Sequence, residues 1–171
     1  SARTKLATVA LVIVGFALGF AEFIVIGITP DIAEEYGISL ASAGNLVGFF
    51  AISYAVSTPI IVFSTGRFRR FPLFVTFLAV FNAGNLLAIV APTYETLLVA
   101  RVLTAVVSGV LLSTVMTFIN DIIPREKTAR IISFVYAGFS VASVLGTPIG
   151  TLLADAFGIK AAFVAVEAVA L

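Results

Sequence analysis

The sequence predicts an all-α membrane protein, a bundle of six transmembrane helices. Three observations carry that prediction. The 171 residues are 61% hydrophobic and 11% charged, with a mean hydropathy of +1.19, whereas soluble domains carry roughly 25% charged residues. A buried core cannot absorb this excess of apolar surface, but a bilayer can. The apolar residues also fall into runs of the length a helix needs to cross the hydrocarbon layer, about 20 residues. Finally, the polar segments between runs alternate in sign. Arg3 and Lys5 precede the first run, and Asp31, Glu34 and Glu35 follow it. Arg67, Arg69 and Arg70 follow the second, Glu95 the third, and Arg125, Lys127 and Arg130 the fourth. Three basic segments thus hold eight of the ten Lys and Arg residues. Basic segments mark the cytoplasmic side, so the alternation counts the crossings and puts the amino terminus in the cytoplasm.

The first span is Leu6–Thr29, uncharged except for Glu22. It is too long for a signal-peptide core and lacks a small-residue cleavage pattern, so it reads as a retained span. Pro30 closes it, since proline cannot donate its backbone hydrogen bond. The second span, Ala43–Gly66, follows a cap region at Ser39–Ala43. The third, Phe71–Thr93, ends at Pro92. The fourth, Thr96–Ile123, carries Arg101 near its start and Asp121 near its end, and Pro124 closes it. The fifth is Ile131–Ala154. A sixth run begins near Ala161 and reaches Leu171. It would rise only about 16 Å as a helix, roughly half the layer. The chain is therefore expected to be a fragment cut inside its sixth span. None of the runs shows the in–out alternation of a membrane barrel.

Helices in lipid associate through small residues that let backbones approach. The fifth span has Gly138, Ala142, Gly146 and Gly150, each four apart, a continuous small stripe on one face. The first span has Gly15 and Gly19, and the spacing puts Glu22 on their face. Thr58-Pro59-Ile60 lies late in the second span and Thr147-Pro148-Ile149 late in the fifth. Those spans run in opposite directions, as a three-plus-three inverted repeat requires.

A charge at bilayer depth costs at least about 2.5–3.5 kcal/mol and needs a partner, a water-filled cavity or a function. Glu22, Arg101 and Glu167 are such charges. They lie about 10, 8 and 9 Å from the outer ends of their spans, in one layer. Burial disfavours a charged carboxyl and a guanidinium favours it, so two carboxylates sharing one movable Arg would form a proton-coupling cluster. The structural alternative is snorkelling, easy for Arg101 and hard for the short side chain of Glu22. Asn82 and Asn85, three apart in the third span, either bond a neighbouring helix or line a polar path. Tyr54 is a cavity wall or ordinary packing. The absence of His and Cys removes disulfides, imidazole switches and the usual zinc sites. No metal or cofactor is expected. Basic residues scattered in loops give no nucleic-acid surface.

The pattern resembles the amino-terminal half of a major facilitator superfamily transporter. It is most similar to the twelve-span drug–proton antiporters and, within these, to the bacterial sugar- and nucleoside-efflux branch. The resemblance rests on Glu22-Phe23, Gly27 and Pro30, then Ala43-Gly44, Tyr54-Ala55 and Pro59. It continues through Phe81-Asn82-Ala83-Gly84-Asn85, Leu97 to Arg101 and Ser108-Gly109, and ends with Gly146-Thr147-Pro148-Ile149-Gly150, which matches the antiporter motif of the fifth span. Two departures stand out. The loop Gly66-Arg67-Phe68-Arg69-Arg70 lacks the family's usual Asp, and Thr104-Ala105 replaces a Gln-Gly pair after Arg101. The resemblance implies a multi-pass protein of the bacterial inner membrane. It also implies proton-driven export of small organic molecules (sugars, nucleosides or drugs) by alternating access, with a carboxy-terminal six-helix half completing the cavity. Other readings are a membrane scaffold, a half-transporter working as a dimer, and uptake rather than export. An intramembrane enzyme would need a nucleophile with its base, and no Lys lies inside a span.

Overall fold

The computed structural model describes residues 2–171, with side chains from Thr4 onward; the Arg3 side chain lies outside the described residues. The described residues form helices joined by short turns and contain no strand. Seven helices follow in order: α1 (Ala2–Gly27), α2 (Thr29–Glu35), α3 (Leu40–Thr65), α4 (Arg70–Val90), α5 (Tyr94–Ile122), α6 (Arg125–Phe157) and α7 (Ile159–Ala170). Among the described residues five of these, α1, α3, α4, α5 and α6, are long and apolar enough to cross a membrane. The seventh has 12 residues.

Local chemistry sets the boundaries. Pro30 does not end the first long helix. That helix stops at Gly27, and Pro30 sits in the first turn of α2 with Asp31. There a missing N–H costs nothing and a carboxylate faces the positive end of the helix dipole. Ile32 is fully buried and seats α2 on the bundle. Gly37 turns the chain with φ 61°, a conformation that glycine adopts without strain. Ser39 then caps α3 by accepting from the Ser42 N–H at 3.1 Å. Thr93 caps α5 in the same way, accepting from Thr96 at 3.3 Å. The segment Arg125–Arg130, read as a loop, forms the first turns of α6 instead. Pro124 occupies its N-cap position, and the Pro124 carbonyl accepts from the Lys127 N–H at 2.8 Å.

Two helices form the centre. α5 buries thirteen residues along its length, and α1 buries Ala17, Leu18, Phe20, Ala21, Ile24 and Val25. By contrast α3 buries Ala43, Leu46 and Phe50 alone. It leaves Ile52, Val56, Ile60 and Phe63 more than half exposed. Apolar exposure on this scale is what a lipid-facing or domain-facing helix shows.

The α1–α6 seam is the most extensive in the molecule, and small residues from both helices build it. Gly15 meets Val135, Gly19 meets Phe139 and Ala142, and Gly27 lies against the Thr147 backbone. From the other side Gly138 meets Val12, Gly146 meets Phe23 and Ile24 at 3.2 Å, and Gly150 meets Ile24 and Ile28. Pro148 lies inside α6 within this stretch. Neighbouring threonines bond across the seam: Thr147 Oγ1 donates to the Phe23 carbonyl at 3.4 Å and Thr151 Oγ1 to the Gly27 carbonyl at 3.0 Å. The sequence reading put Glu22 on the Gly15–Gly19 face. In the structure Phe23, not Glu22, continues that face against α6, because the four-residue rows of a helix drift slowly around its axis. A second seam, α3–α5, has a related contact: Gly109 leaves no room for a Cβ beneath the Thr58 side chain.

Candidate functional site

Arg101 stands two turns into α5, after the Thr93 cap and the buried Leu97 and Ala100. Only 2% of it is exposed. Its environment comes from two neighbouring helices. The Nη1 donates to the Ala21 carbonyl of α1 at 2.8 Å, using the lone pair that the helical hydrogen bond leaves free. The guanidinium carbon lies 4.3 Å from the centre of the Phe50 ring on α3. Such a stack suits a planar, weakly hydrated cation. The Nε has no partner.

Glu22 follows Ala21 directly and is partly exposed. Its carboxylate and the Arg101 guanidinium act on one another electrostatically, but they form no direct ion pair. Among the described residues the single direct ion pair is Arg70 with Asp121. Tyr54 stacks on Phe50, ring centres 6.4 Å apart, and lies within electrostatic reach of Glu22. Glu22, Phe50, Tyr54 and Arg101 therefore belong to one cluster where α1, α3 and α5 meet. It holds one anchored cation, one accessible carboxylate and an aromatic wall. That arrangement can take up and release a proton or attract a cationic group at Glu22, while Arg101 stays fixed.

Glu167 is placed differently. It is 6% exposed on α7 and lies beside the Asn85 side chain of α4, with one carboxylate oxygen unpartnered. Asn82, one turn earlier on α4, also has an unpartnered buried oxygen. Of the three charges, Arg101 acts on Glu22, whereas the neighbour of Glu167 is Asn85. Arg70 of the Arg67–Arg70 segment pairs with Asp121 of α5. Phe50 was not singled out in the sequence, although it lies one turn from Tyr54 on the same helix face. Among the described residues no cluster of His, Cys, Asp or Glu could hold a metal ion. An open cleft of about 620 Å³ between α1, α4 and the end of α7 is mainly apolar, and neither Glu22 nor Arg101 lines it.

Residues 11–171 match the sequence profile of the family described as Major Facilitator Superfamily. The uncharacterized MFS-type transporter YtbD of Bacillus subtilis is 37% identical over 163 residues, 95% of this chain and 41% of that protein. The chloramphenicol resistance protein of Streptomyces lividans is 29% identical over 150 residues, 88% of this chain and 38% of that protein. The probable sugar efflux transporter of Pasteurella multocida is 24% identical over 157 residues, 92% and 39% respectively. The chain thus spans about two fifths of the length of these relatives.

Proposed function

The chain belongs to the Major Facilitator Superfamily, and on that premise we propose that it forms part of a secondary active transporter that exports small organic molecules in exchange for protons. Its relatives point to a transporter rather than an enzyme. The observation that carries the finer reading is the unequal treatment of two neighbouring charges. Arg101 is buried and held by α1 and α3, whereas Glu22 beside it is accessible and not locked in an ion pair. A scaffold has no need of that pair at membrane depth. A coupling site needs a carboxylate that can exchange its proton, next to a fixed positive field.

The rest of the proposal is architectural. The amino terminus and the Arg67–Arg70 and Arg125–Arg130 segments face the bacterial cytoplasm, following the distribution of basic residues. α7 is the start of the sixth span, and a second six-helix half closes the cavity against α3 and the Glu22 cluster. The two halves of this bundle form an inverted repeat. Each of two seams, α1–α6 and α3–α5, has a Thr-Pro-Ile threonine against a glycine of the partner helix: Thr147 on Gly27, and Thr58 on Gly109. Substrates are small organic molecules of the efflux kind, suggested by relatives named for sugar efflux and chloramphenicol resistance.

Everted membrane vesicles carrying the intact protein test the reading. An imposed proton gradient should drive accumulation of at least one compound from a panel of sugars, nucleosides and amphenicols, and an uncoupler should abolish it. Accumulation that ignores the uncoupler would exclude proton coupling.

A further inference from the structure

Two basic segments distant in the sequence meet at one end of the bundle. Arg70, the first residue of α4, pairs with Asp121 in the last turn of α5. Behind that pair the Phe74 and Phe118 rings meet edge to face, centres 5.6 Å apart. The pair therefore sets Arg67 and Arg69, in the turn between α3 and α4, at the same end as Arg125 and Lys127, in the first turn of α6 just after Pro124. α1 reaches this end too. Its Ala7 lines one cleft with Phe71 of α4 and Ile122 of α5, and Lys5 stands two residues earlier.

These cations lack matching anions. Lys5, Arg67, Arg69, Arg125, Lys127 and Arg130 are all exposed, and among the described residues none of the six is in an ion pair. Two carboxylates share this end. Asp121 is taken by Arg70, and Glu126 lies one helical turn from Arg130. Asp31, Glu34, Glu35, Glu95 and Asp155 lie at the opposite end of the helices. Apolar side chains stand among the cations. Phe68 lies between Arg67 and Arg69 in the chain, Phe71 follows Arg70, and Leu6 follows Lys5. All three, with Phe63 at the end of α3, are more than half exposed.

Water solvates the guanidinium groups but not the phenyl rings beside them, and hydrocarbon does the reverse. The end of a membrane span meets both needs, where phosphate headgroups overlie acyl chains. There a guanidinium offers a phosphate two parallel N–H donors, while the Arg and Lys stems lie along the apolar layer. We propose that Arg67, Arg69, Arg125 and Lys127 form a binding site for the headgroup of an anionic phospholipid, with Phe68 inserted among its acyl chains. The cations match the negative phosphate, and the exposed ring matches the hydrocarbon below it. A headgroup held between the two segments braces the start of α4 against the start of α6. The proposal rests on the reading of the chain as membrane-spanning, not on the direction, substrate or proton coupling of transport.

Native mass spectrometry of the intact protein in a nonionic detergent tests this without any transport assay. The protein is titrated with phosphatidylglycerol or with phosphatidylcholine of the same acyl chains, and phosphatidylglycerol should be retained in preference. A basic residue at an anionic headgroup layer adds about fivefold in affinity. Arg67→Gln with Arg69→Gln, and Arg125→Gln with Lys127→Gln, should therefore each weaken phosphatidylglycerol binding at least about tenfold. Lys160→Gln, at the opposite end, should leave it unchanged. Soluble glycerol 1-phosphate should not displace the lipid. Equal retention of the two lipids, or undiminished binding by both folded double variants, would overturn the proposal. Displacement by glycerol 1-phosphate would do the same, by assigning the cations to a free phosphate ester. Should a double variant not fold, salt serves on the wild type: phosphatidylglycerol binding should weaken as ionic strength rises, and binding indifferent to salt would exclude a headgroup held by charge. Loss of proton-driven export with selective lipid binding intact would count against the export reading alone.

Discussion

Arg101 is tied to the backbone of the first helix and not to a carboxylate: its Nη1 donates to the Ala21 carbonyl at 2.8 Å, one residue before Glu22. The cation is therefore anchored while the neighbouring acid stays accessible, a division of labour that a direct ion pair would remove. A hydrogen bond to a charged group contributes about 1.5–3 kcal/mol, and a desolvated cation–π contact about 2 kcal/mol. Together these offset part of the cost of placing a guanidinium at this depth.

Arg101→Lys should therefore fail as a conservative change. A lysine ammonium is compact and strongly hydrated and lacks the planar face that stacks on Phe50. Transport should fall at least tenfold, with a lowered melting temperature. Phe50→Leu should be milder, losing about 0.5–2 kcal/mol from the cation–π contact. Thermal melts and transport rates of both variants check the order.

Glycine substitutions should separate the tight seam from open surface. Gly27 touches the Thr147 backbone, whereas Gly48 has nothing within 4 Å of where a Cβ would lie. Gly27→Ala should destabilise by about 1–3 kcal/mol, the usual effect of forcing a methyl group into a packed interior. Gly48→Ala should be neutral or slightly stabilising, since alanine is the better helix former. Equal melting temperatures for the two variants would contradict the seam geometry.

The α3–α5 contact should behave as a coupled pair. Gly109→Ala alone should destabilise, because Thr58 occupies the space. Thr58→Ala in the same chain should recover much of the loss. A double-mutant cycle measures the interaction, expected to lie within the 0.5–3 kcal/mol typical of residues in contact. A cycle that closes to zero would mean the two helices do not meet there.

Orientation is open to direct labelling, since the chain has no native cysteine. An impermeant thiol reagent added to intact cells should modify Glu34→Cys and leave Arg69→Cys untouched. Labelling of Arg69→Cys would invert the topology.

The helical spans were legible because length and hydropathy are one-dimensional properties. A run such as Val102–Ile119 is uncharged, and its Pro124 stop is visible in the letters. What failed was short or rotational. α2 escaped notice because seven residues (Thr29–Glu35) hold too little periodicity, so Pro30 read as an end instead of a beginning. Glu22, Arg101 and Glu167 could be assigned a common depth from residue counts. Which of them meet depends on azimuth around each helix, and a small drift turned Phe23 toward α6 in place of Glu22. The Phe50 platform was hidden among 16 phenylalanines, most of which say nothing about a site. The Arg70–Asp121 pair joins residues 51 apart and has no local signature. Its two side chains are about half exposed, so as an isolated pair it contributes about 0–1 kcal/mol.

The central claim is that Glu22 carries the exchangeable proton beside a fixed Arg101. Glu22→Gln keeps the size and polarity of the side chain and deletes its titration. The decisive measurement is proton-gradient-driven export by the intact Glu22→Gln protein in everted vesicles, compared with wild type at matched expression across pH. The account predicts that gradient-driven accumulation is lost while the protein remains folded in the membrane. Accumulation equal to wild type at every pH would contradict it and leave Glu22 a structural residue.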